Sequence, residues 1–402
     1  MSLARTPLGT LLAVALAGVL LAGCSAPAPR APGTSPVPAP TAQRTTGPAP
    51  TTASPSPTPS LPACTAEAAA LPLAERVGQL VMVGVEVGLP ASQREVIRDH
   101  HLGSAIVMGP TPGGVDGVAR LTAALRELGG ETGMLVAADQ EGGLVQRLQG
   151  EGFGTIPSAA RQARWSDAEL RRRAATWGRA LALAGVLLDL APVADVVPRA
   201  NRSANEPIAK LGRGYGSDPD VVSAKVAAFS AGMRAAGVAV AVKHFPGLGA
   251  VRGNTDFAAR VVDRTTTADS RLLVPFRAAV RDGAAAVMVS SAYYARIDRA
   301  RPAMHSPTVV GLLREWGFAG VVVSDDLGAA AALQAMPAGR RAVRFVAAGG
   351  DLVLTVDART AGPMASALLQ RAQDDERFAA RVTASAVRVR ALKASLGAYR
   401  CG

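Results

Sequence analysis

Short apolar runs recur along most of the chain, and each is followed by a polar, glycine-containing segment. Runs of this length that are apolar throughout are typical of strands buried on both faces in a parallel sheet. Segments with helical character lie between them. Eight such runs predict a single (β/α)8 barrel, with a doubly wound sheet as the alternative. The predicted strands are residues 79–87, 104–108, 134–138, 186–190, 238–242, 286–290, 320–324 and 351–355.

Local capping signals locate three of the helices between these strands. Ser166 followed by Glu169 has the spacing of a capping box, and a helical stretch follows it over residues 170–183. Asp218 stands directly before a proline, which predicts the start of a second helix. A third helix is predicted from about residue 269 to near residue 283.

The first 23 residues have the features of a secretory signal. Arg5 gives a positive start, an apolar run covers residues 11–21, and the ending LAGC resembles a bacterial lipobox. Cys24 would then be the lipidated first residue of the mature protein; an ordinary signal peptide with an incidental cysteine is the alternative. Residues 24–63 are rich in Pro, Ser, Thr and Ala and predict an extended tether.

The composition narrows the possible partners. The net charge of +12 is explained by an arginine-rich, solvated surface or by attraction to an anionic partner such as an acidic cell-wall polymer. No dense basic run interleaved with aromatic residues occurs, which argues against nucleic acid. Beyond the N-terminal segment no stretch reaches about 18 apolar residues, so we expect no transmembrane helix.

The remaining cysteines lie at the two ends of the predicted barrel region, residues 64–402. In an exported protein, Cys64 and Cys401 are candidates for a disulfide that ties these ends together. Two free thiols are the alternative. Too few residues follow the last predicted strand for a second domain, so we expect a single barrel.

Candidate ligand-binding side chains follow three of the predicted strands, at the end where such barrels place their chemistry. Asp139 and Arg147 flank a glycine pair that permits close backbone approach, so both can converge on one ligand. Arg213 lies between glycines in an irregular segment. Lys243 and His244 end the fifth strand, and both reach one ligand only if the strand stops there, because neighbouring strand residues face opposite sides.

Acidic candidates follow the fifth and seventh predicted strands. Asp325 and Asp326 come directly after three valines, where two acids are costly unless they are used. One of them is expected to cap the next helix while Asp325 faces the barrel mouth. Asp256 lies in residues 248–256, a glycine- and asparagine-containing segment that predicts a mobile loop.

In combination these motifs resemble glycoside hydrolase family 3, specifically its single-domain bacterial β-N-acetylglucosaminidases, over about residues 70–395. The matching motifs are DQEGG with QR at residues 139–147, KHFPG at 243–247 and SDDL at 324–327. The resemblance implies that Asp325 is the nucleophile of a retaining hydrolysis through a covalent glycosyl-aspartate. It also implies which side chains hold the sugar: Asp139, Arg147, Arg213, Lys243 and His244.

The loop after the KHFPG motif departs from the family pattern, in which a second histidine follows and an Asp-Ser-His sequence supplies the acid/base. Leu248 replaces the first of these histidines, and the stretch from Thr255 to Ala258 stands where Asp-Ser-His is expected. Asp256 there aligns either with the Asp of that sequence or, without a one-residue gap, with its His. A carboxylic acid can protonate a leaving oxygen if its surroundings raise its pKa, so Asp256 is assigned as the acid/base. The other histidines are expected to be structural: His100, His101 and His305.

The resemblance implies an exported hydrolase that is lipid-anchored at the outer face of the cell membrane. Its expected reaction removes terminal non-reducing β-linked N-acetylglucosamine from saccharides or muropeptides, in peptidoglycan turnover, without a metal or an organic cofactor. Two alternatives remain. The missing loop histidine is compatible with a sugar-binding lipoprotein that lacks catalysis, and the same fold also serves β-glucosidases and phosphorylases.

Overall fold

The computed structural model describes residues 61–400. Four predicted features lie outside the described residues and stay predictions: the signal segment, the lipidation site at Cys24, most of the tether, and Cys401. Helix α1, Leu61–Ala70, begins inside the predicted tether, because a proline in the first helical turn costs no hydrogen bond. Within the described residues no helix is both long and apolar enough to cross a membrane.

Eight parallel strands form a barrel in which each strand lies beside its neighbours in sequence. A parallel bridge between Val323 and Leu352 joins the last strand to the one before it and closes the ring. The predicted single (β/α)8 barrel is therefore confirmed. The strands are β1 Val81–Glu86, β2 Ser104–Met108, β3 Leu135–Ala138, β4 Leu188–Asp189, β5 Ala239–Phe245, β6 Ala286–Val289, β7 Val321–Ser324 and β8 Val353–Thr355.

Helices connect the strands and cover the outside of the barrel. After α1 they are α2 Leu73–Gly78, α3 Ala91–Asp99, α4 Gly114–Gly129, α5 Ala159–Gln162, α6 Asp167–Leu183, α7 Pro219–Ala235, α8 Val274–Arg281, α9 Pro307–Glu315, α10 Ala338–Ala347, α11 Ala358–Asp374 and α12 Glu376–Ser395. Single turns of 3-10 helix occur at Gly130–Thr132, Arg199–Asn201, Arg271–Leu273, Ala303–His305 and Ala331–Leu333.

The strands are apolar throughout because both of their faces are buried. Met82, Ile106 and Met288 belong to the cluster that fills the barrel interior, while a larger cluster packs the outer strand faces against the helices. Leu392 of α12 packs into the interior cluster. Lys393, beside it, donates to carbonyls that precede β3, so α12 covers the amino end of the barrel and leaves the carboxyl end open.

Strand β5 continues beyond its predicted end and includes Lys243 and His244. The backbone that follows β4 supplies the hydrogen bonds: Lys243 N donates to Pro192 O at 3.2 Å, and Ala194 N donates to Lys243 O at 2.6 Å. The polar pair ends the apolar run without ending the strand. Strands β1, β4 and β8 begin two residues later than predicted.

Two of the three predicted helix starts are confirmed. The Ser166 hydroxyl accepts the backbone N–H of Glu169 at 3.2 Å and caps α6, and the Asp218 carboxylate caps α7. The third helix was predicted to begin at about residue 269, which is wrong, since the 3-10 turn Arg271–Leu273 comes first and α8 starts after it.

Two small sheets extend the barrel beyond the carboxyl ends of its strands. The hairpin of Gln140–Gly142 and Val145–Gln146 follows β3 directly. Val262–Asp263, Tyr293–Tyr294 and Asp298–Pro302 form a three-stranded sheet from the segments after β5 and β6. These additions lie at the end of the barrel that carries the predicted site residues.

Candidate active site

A pocket of about 550 Å³ opens at the carboxyl ends of the barrel strands. Met288 and Leu354 reach it from the barrel interior. Segments after β3, β4, β5 and β7 meet there, so the strand ends converge on one cavity as the sequence predicts. All of the catalytic and sugar-binding candidates line this pocket: Asp139, Arg147, Arg213, Lys243, His244, Asp256 and Asp325.

A buried carboxylate, Glu141, binds two of the pocket's cations. Its side chain is 3% exposed and accepts two hydrogen bonds from Arg213, at 2.9 and 2.7 Å. Lys243 Nζ lies 2.7 Å from the same carboxylate. Burial alone would raise the pKa of Glu141, but the charges of Arg213 and Lys243 hold it well below its usual range. Both cations are therefore fixed by a permanently ionised partner.

Lys243 also contacts Asp139, which faces the pocket. Its Nζ lies 2.5 Å from Asp139 Oδ1. Burial alone would lower the pKa of Lys243, but Asp139 and Glu141 hold it above its usual value. Lys243 is thus an ammonium that donates to two carboxylates, and Asp139 is oriented at the pocket wall.

His244 is held by a second buried acid, Asp195. His244 Nδ1 lies 2.7 Å from Asp195 Oδ2, and Asp195 Oδ1 accepts the backbone N–H of Leu248 at 2.8 Å. His244 Nε2 lies 3.2 Å from a terminal nitrogen of Arg213. Since Arg213 only donates, this arrangement assigns the ring proton to Nδ1 and makes Nε2 the acceptor. The imidazole therefore has one orientation.

Lys243 and His244 both line the pocket although β5 continues through them, so the expectation that the strand must end there is wrong. The pairing of β5 with β6 shifts register between Val242 and Phe245. The backbone is irregular at this point, so the side chains of Lys243 and His244 do not face opposite sides as neighbours in a regular strand do.

Arg147 has an unengaged guanidinium. Its backbone N–H donates to Asp139 O at 3.0 Å, which holds the residue on the hairpin after β3. Within residues 61–400 its exposed side chain makes no hydrogen bond or ion pair by geometric criteria. Arg147 is therefore free to bind a ligand, whereas Arg213 spends most of its donors on Glu141, Pro207 and His244.

Asp325 follows β7, and its Oδ1 accepts the backbone N–H of Asp326 at 2.9 Å. Burial raises the pKa of Asp325, and the negative charge of Asp256 adds to this rise. Both acids line the same pocket.

Asp326 has the capping role that was expected of one of the pair, but it caps a turn and no α-helix begins there. Its carboxylate accepts the backbone N–H groups of Gly328 and Ala329, each at 2.8 Å, and that of Val356 at 3.0 Å. Gly328 packs too closely against Thr355 for a side chain to fit. Asp326 thereby fixes the backbone that presents Asp325.

Asp256 lies exposed at the rim of the pocket, on the loop after β5. At the base of this loop, the Asn205 amide donates to three of its carbonyls. At its tip, Asp256 O accepts a hydrogen bond from Ala331 N at 3.3 Å. Phe257, next in the chain, also lines the pocket and is 84% exposed. The loop thus has a fixed base and a lightly held tip that carries an acid.

The other histidines lie away from the pocket, as predicted. His100 and His101 precede β2, at the amino end of the barrel. His305 is buried and its Nε2 lies 3.1 Å from Arg341 O. Among the described residues that line the pocket, His244 is thus the only histidine, and Asp256 is the only acid on the loop after β5.

Sequence reasoning assigned no role to three buried acids at this site, Glu141, Asp195 and Asp189. Glu141 stood inside the recognised DQEGG motif, two residues after Asp139, whereas Asp195 lies outside the recognised motifs. Asp189 ends β4. A single acid between leucines in an apolar strand is costly to bury, so the sequence alone could have marked Asp189 as a candidate site residue. Its Oδ1 accepts the backbone N–H of Gln140 at 3.0 Å, while Oδ2 has no hydrogen-bond partner within the described residues.

Comparison with known proteins identifies the family. The model of the glycosyl hydrolase family 3 N-terminal domain matches residues 72–392, so the chain belongs to glycosyl hydrolase family 3. It is 31% identical over 348 residues to the beta-hexosaminidase LpqI of Mycobacterium tuberculosis, which covers 83% of this chain and 87% of that protein. A beta-hexosaminidase of Stenotrophomonas maltophilia is 34% identical over 289 residues, 68% of this chain and 82% of the relative.

Solved structures agree with this assignment. The beta-N-acetylhexosaminidase from Beutenbergia cavernae matches with a TM-score of 0.77 and 45% identity, over 79% of this chain and 97% of that one. The structure of Mycobacterium tuberculosis LpqI matches with a TM-score of 0.70 and 30% identity, over 83% and 97% of the two chains.

The environment of Asp189 predicts a pH-dependent stability. Burial raises the pKa of Asp189 to about 8, against the opposing effects of the Gln140 N–H and Lys243. The folded state therefore holds a proton that the unfolded state releases at about pH 4, and stability falls as the pH rises between about 4 and about 8. Asp189→Asn removes this linkage. Relative to the variant, the wild type should lose up to about 1.4 kcal/mol per pH unit in that range.

Urea denaturation of both proteins at about pH 5 and about pH 7.5 measures this difference. Asp269→Asn is the matched control, because the side chain of Asp269 is 99% exposed. Stability curves of wild type and Asp189→Asn that run parallel over this pH range would show that Asp189 is ionised in the folded state.

Proposed function

We propose that this chain is a retaining β-N-acetylhexosaminidase that removes terminal non-reducing β-linked N-acetylglucosamine. The observation that carries the proposal is the pair of carboxylates, Asp325 and Asp256, on one pocket whose other walls hold fixed cations. Retaining glycosidases use two such carboxylates, one as nucleophile and one as acid/base. The beta-hexosaminidase names of the relatives support the choice of sugar.

In the first step, an oxygen of Asp325 attacks the anomeric carbon while the bond from that carbon to the leaving oxygen breaks. Asp256 gives its proton to the leaving oxygen, so the aglycone departs as a neutral alcohol. In the second step, Asp256 takes a proton from water, the hydroxide attacks the anomeric carbon, and the Asp325 carboxylate is released. The configuration at the anomeric carbon is retained because it inverts twice.

The remaining pocket residues hold the sugar. Asp139 and Lys243 form one polar wall, His244 lines the pocket beside them, and Arg147 brings a free guanidinium to hydroxyl or amide oxygens of the substrate. Arg213 acts mainly by fixing Glu141 and His244, since most of its donors are engaged. A rigid set of donors and acceptors positions the anomeric carbon over Asp325 without reorganisation at each turnover.

The location of the reaction is part of the proposal. A lipid on Cys24 anchors the chain at the outer face of the cell membrane. Peptidoglycan fragments, including muropeptides, are the natural source of the sugar. Support comes from the lipobox-like ending of the signal segment and from the Pro-, Ser- and Thr-rich composition of the tether.

The nucleophile is tested by Asp325→Asn in the full chain. The wild type should release 4-nitrophenol from the β-N-acetylglucosaminide and much less from the matching β-glucoside. Asp325→Asn should reduce kcat/KM by roughly a thousandfold or more, since an amide cannot form the glycosyl ester. Asp326→Asn is the matched control and should stay within about tenfold of the wild type, because the asparagine oxygen can still accept the backbone N–H groups of Gly328 and Val356.

Three outcomes would contradict the proposal. Sugar binding without turnover in the wild type would make the chain a binding protein. Equal losses in both variants would mean that Asp325 acts only by maintaining local structure. A rate that rises with added phosphate, together with a sugar 1-phosphate product, would make the enzyme a phosphorylase.

The acid/base is tested by Asp256→Ala. For an alkyl or methylumbelliferyl leaving group, kcat/KM should fall by about 10²–10⁴-fold, whereas a dinitrophenyl leaving group, which needs no proton, should be affected much less. Azide should restore turnover and yield the β-glycosyl azide, because it attacks the glycosyl-enzyme without a general base. Arg252→Ala, an exposed position on the same loop, is the control. An equal loss for all leaving groups, without azide rescue, would assign the proton transfer elsewhere.

A further inference from the structure

A second concave site lies at the opposite end of the barrel from the sugar pocket. Its volume is about 360 Å³. Gly349 lines it just before β8, and Arg314 donates to the carbonyls of Phe318 and Gly320 just before β7. The site therefore lies at the amino ends of these strands. Four arginines line it: Arg314, Arg377, Arg381 and Arg388.

A single buried carboxylate balances two of these arginines. Asp351, which is fully buried, lies 2.5 Å from Arg314 and 2.9 Å from Arg388. It also accepts the Ser385 hydroxyl and the backbone N–H of Val322. The Asp351 carboxylate thus pairs with two arginines, and its contacts connect α9 and α12 to strand β7.

The other two arginines have no acidic partner within the described part of the chain. Arg377 and Arg381 are exposed, and no carboxylate oxygen there lies within 4.0 Å of either guanidinium. Asp375 lies two residues before Arg377. Its carboxylate accepts the backbone N–H of Arg377 but forms its ion pair with Arg371. The residues that line the site thus include four arginines and no acid.

Clustered guanidinium groups repel one another unless an anion lies between them. Burial and the nearby charge of Arg388 lower the pKa of Arg314, while Asp351 acts in the opposite direction. Arginine forks match the oxygen geometry of phosphate groups, with which they form paired, charge-assisted hydrogen bonds. The concave shape allows a phosphate group to enter between the side chains.

Spacing along α12 indicates a polymer as the ligand. Arg377 and Arg381 are four residues apart, or about 6 Å along the helix, and Arg388 lies about 10.5 Å further on. The three therefore form a row on one helix face beside the pocket. We propose that this arginine pocket binds several phosphate groups along one linear phosphate polymer. The proposal does not depend on the hydrolase function, because the two sites lie at opposite ends of the barrel.

Binding to the full chain tests the proposal, with tripolyphosphate, a longer linear polyphosphate and orthophosphate as probes at one fixed salt concentration. Calorimetry should give tighter binding for the longer chain than for orthophosphate. The double variant Arg377→Gln/Arg381→Gln should weaken polyphosphate binding at least about tenfold, since it removes two charged donors. Hydrolysis of the aryl glycoside should not change in this variant.

The matched control is Arg171→Gln/Arg179→Gln, which removes two exposed arginines of α6 and has the same net charge as the test variant. It should keep polyphosphate affinity within about twofold. Equal weakening in both double variants would show diffuse charge attraction and overturn the proposal, as would the absence of binding in the wild type. Arginine-dependent binding to phosphatidylglycerol vesicles without polyphosphate binding would replace the polymer with a membrane surface.

Discussion

The candidate active site depends on one buried carboxylate with two cationic partners. Glu141 fixes Arg213 through two hydrogen bonds and Lys243 through a third contact. Arg213 then reaches His244, and Lys243 reaches Asp139. Removing one partner of such a group leaves buried charge uncompensated, which costs about 3–5 kcal/mol. The polar wall of the pocket is therefore one connected network. Its geometry depends on the hairpin after β3, which carries Glu141.

The barrel was predictable because its strands obey a simple constraint. Strands covered by helices on the outside and by each other on the inside must be apolar on both faces, so each appears as an uninterrupted run. Where this constraint ends, the prediction loses accuracy. Lys243 and His244 interrupt the apolar run but stay in β5, because the backbone after β4 offers hydrogen-bond partners at that position. Such partners depend on tertiary contacts that the local sequence does not specify.

The candidate site was predictable to the extent that strand ends converge. That geometry brings Asp139, Lys243 and Asp325 to one pocket. Burial could not be read from residue type: Glu141 and Asp195 look like ordinary turn acids in sequence, yet each organises several neighbours. The position of Asp256 depends on how its loop packs against residues 331–332, which no local pattern encodes. The sequence identifies the acids, and the fold determines which of them contact substrate and which support others.

The central claim is that Asp325 forms a covalent bond to the sugar. The most direct measurement is intact-protein and peptide mass spectrometry of the Asp256→Ala variant during turnover of a dinitrophenyl β-N-acetylglucosaminide, since loss of the base lets the glycosyl-enzyme accumulate. If Asp325 is the nucleophile, the protein mass increases by one N-acetylhexosaminyl group, located on Asp325. An adduct on another side chain, or turnover with no adduct at any time, would contradict this claim.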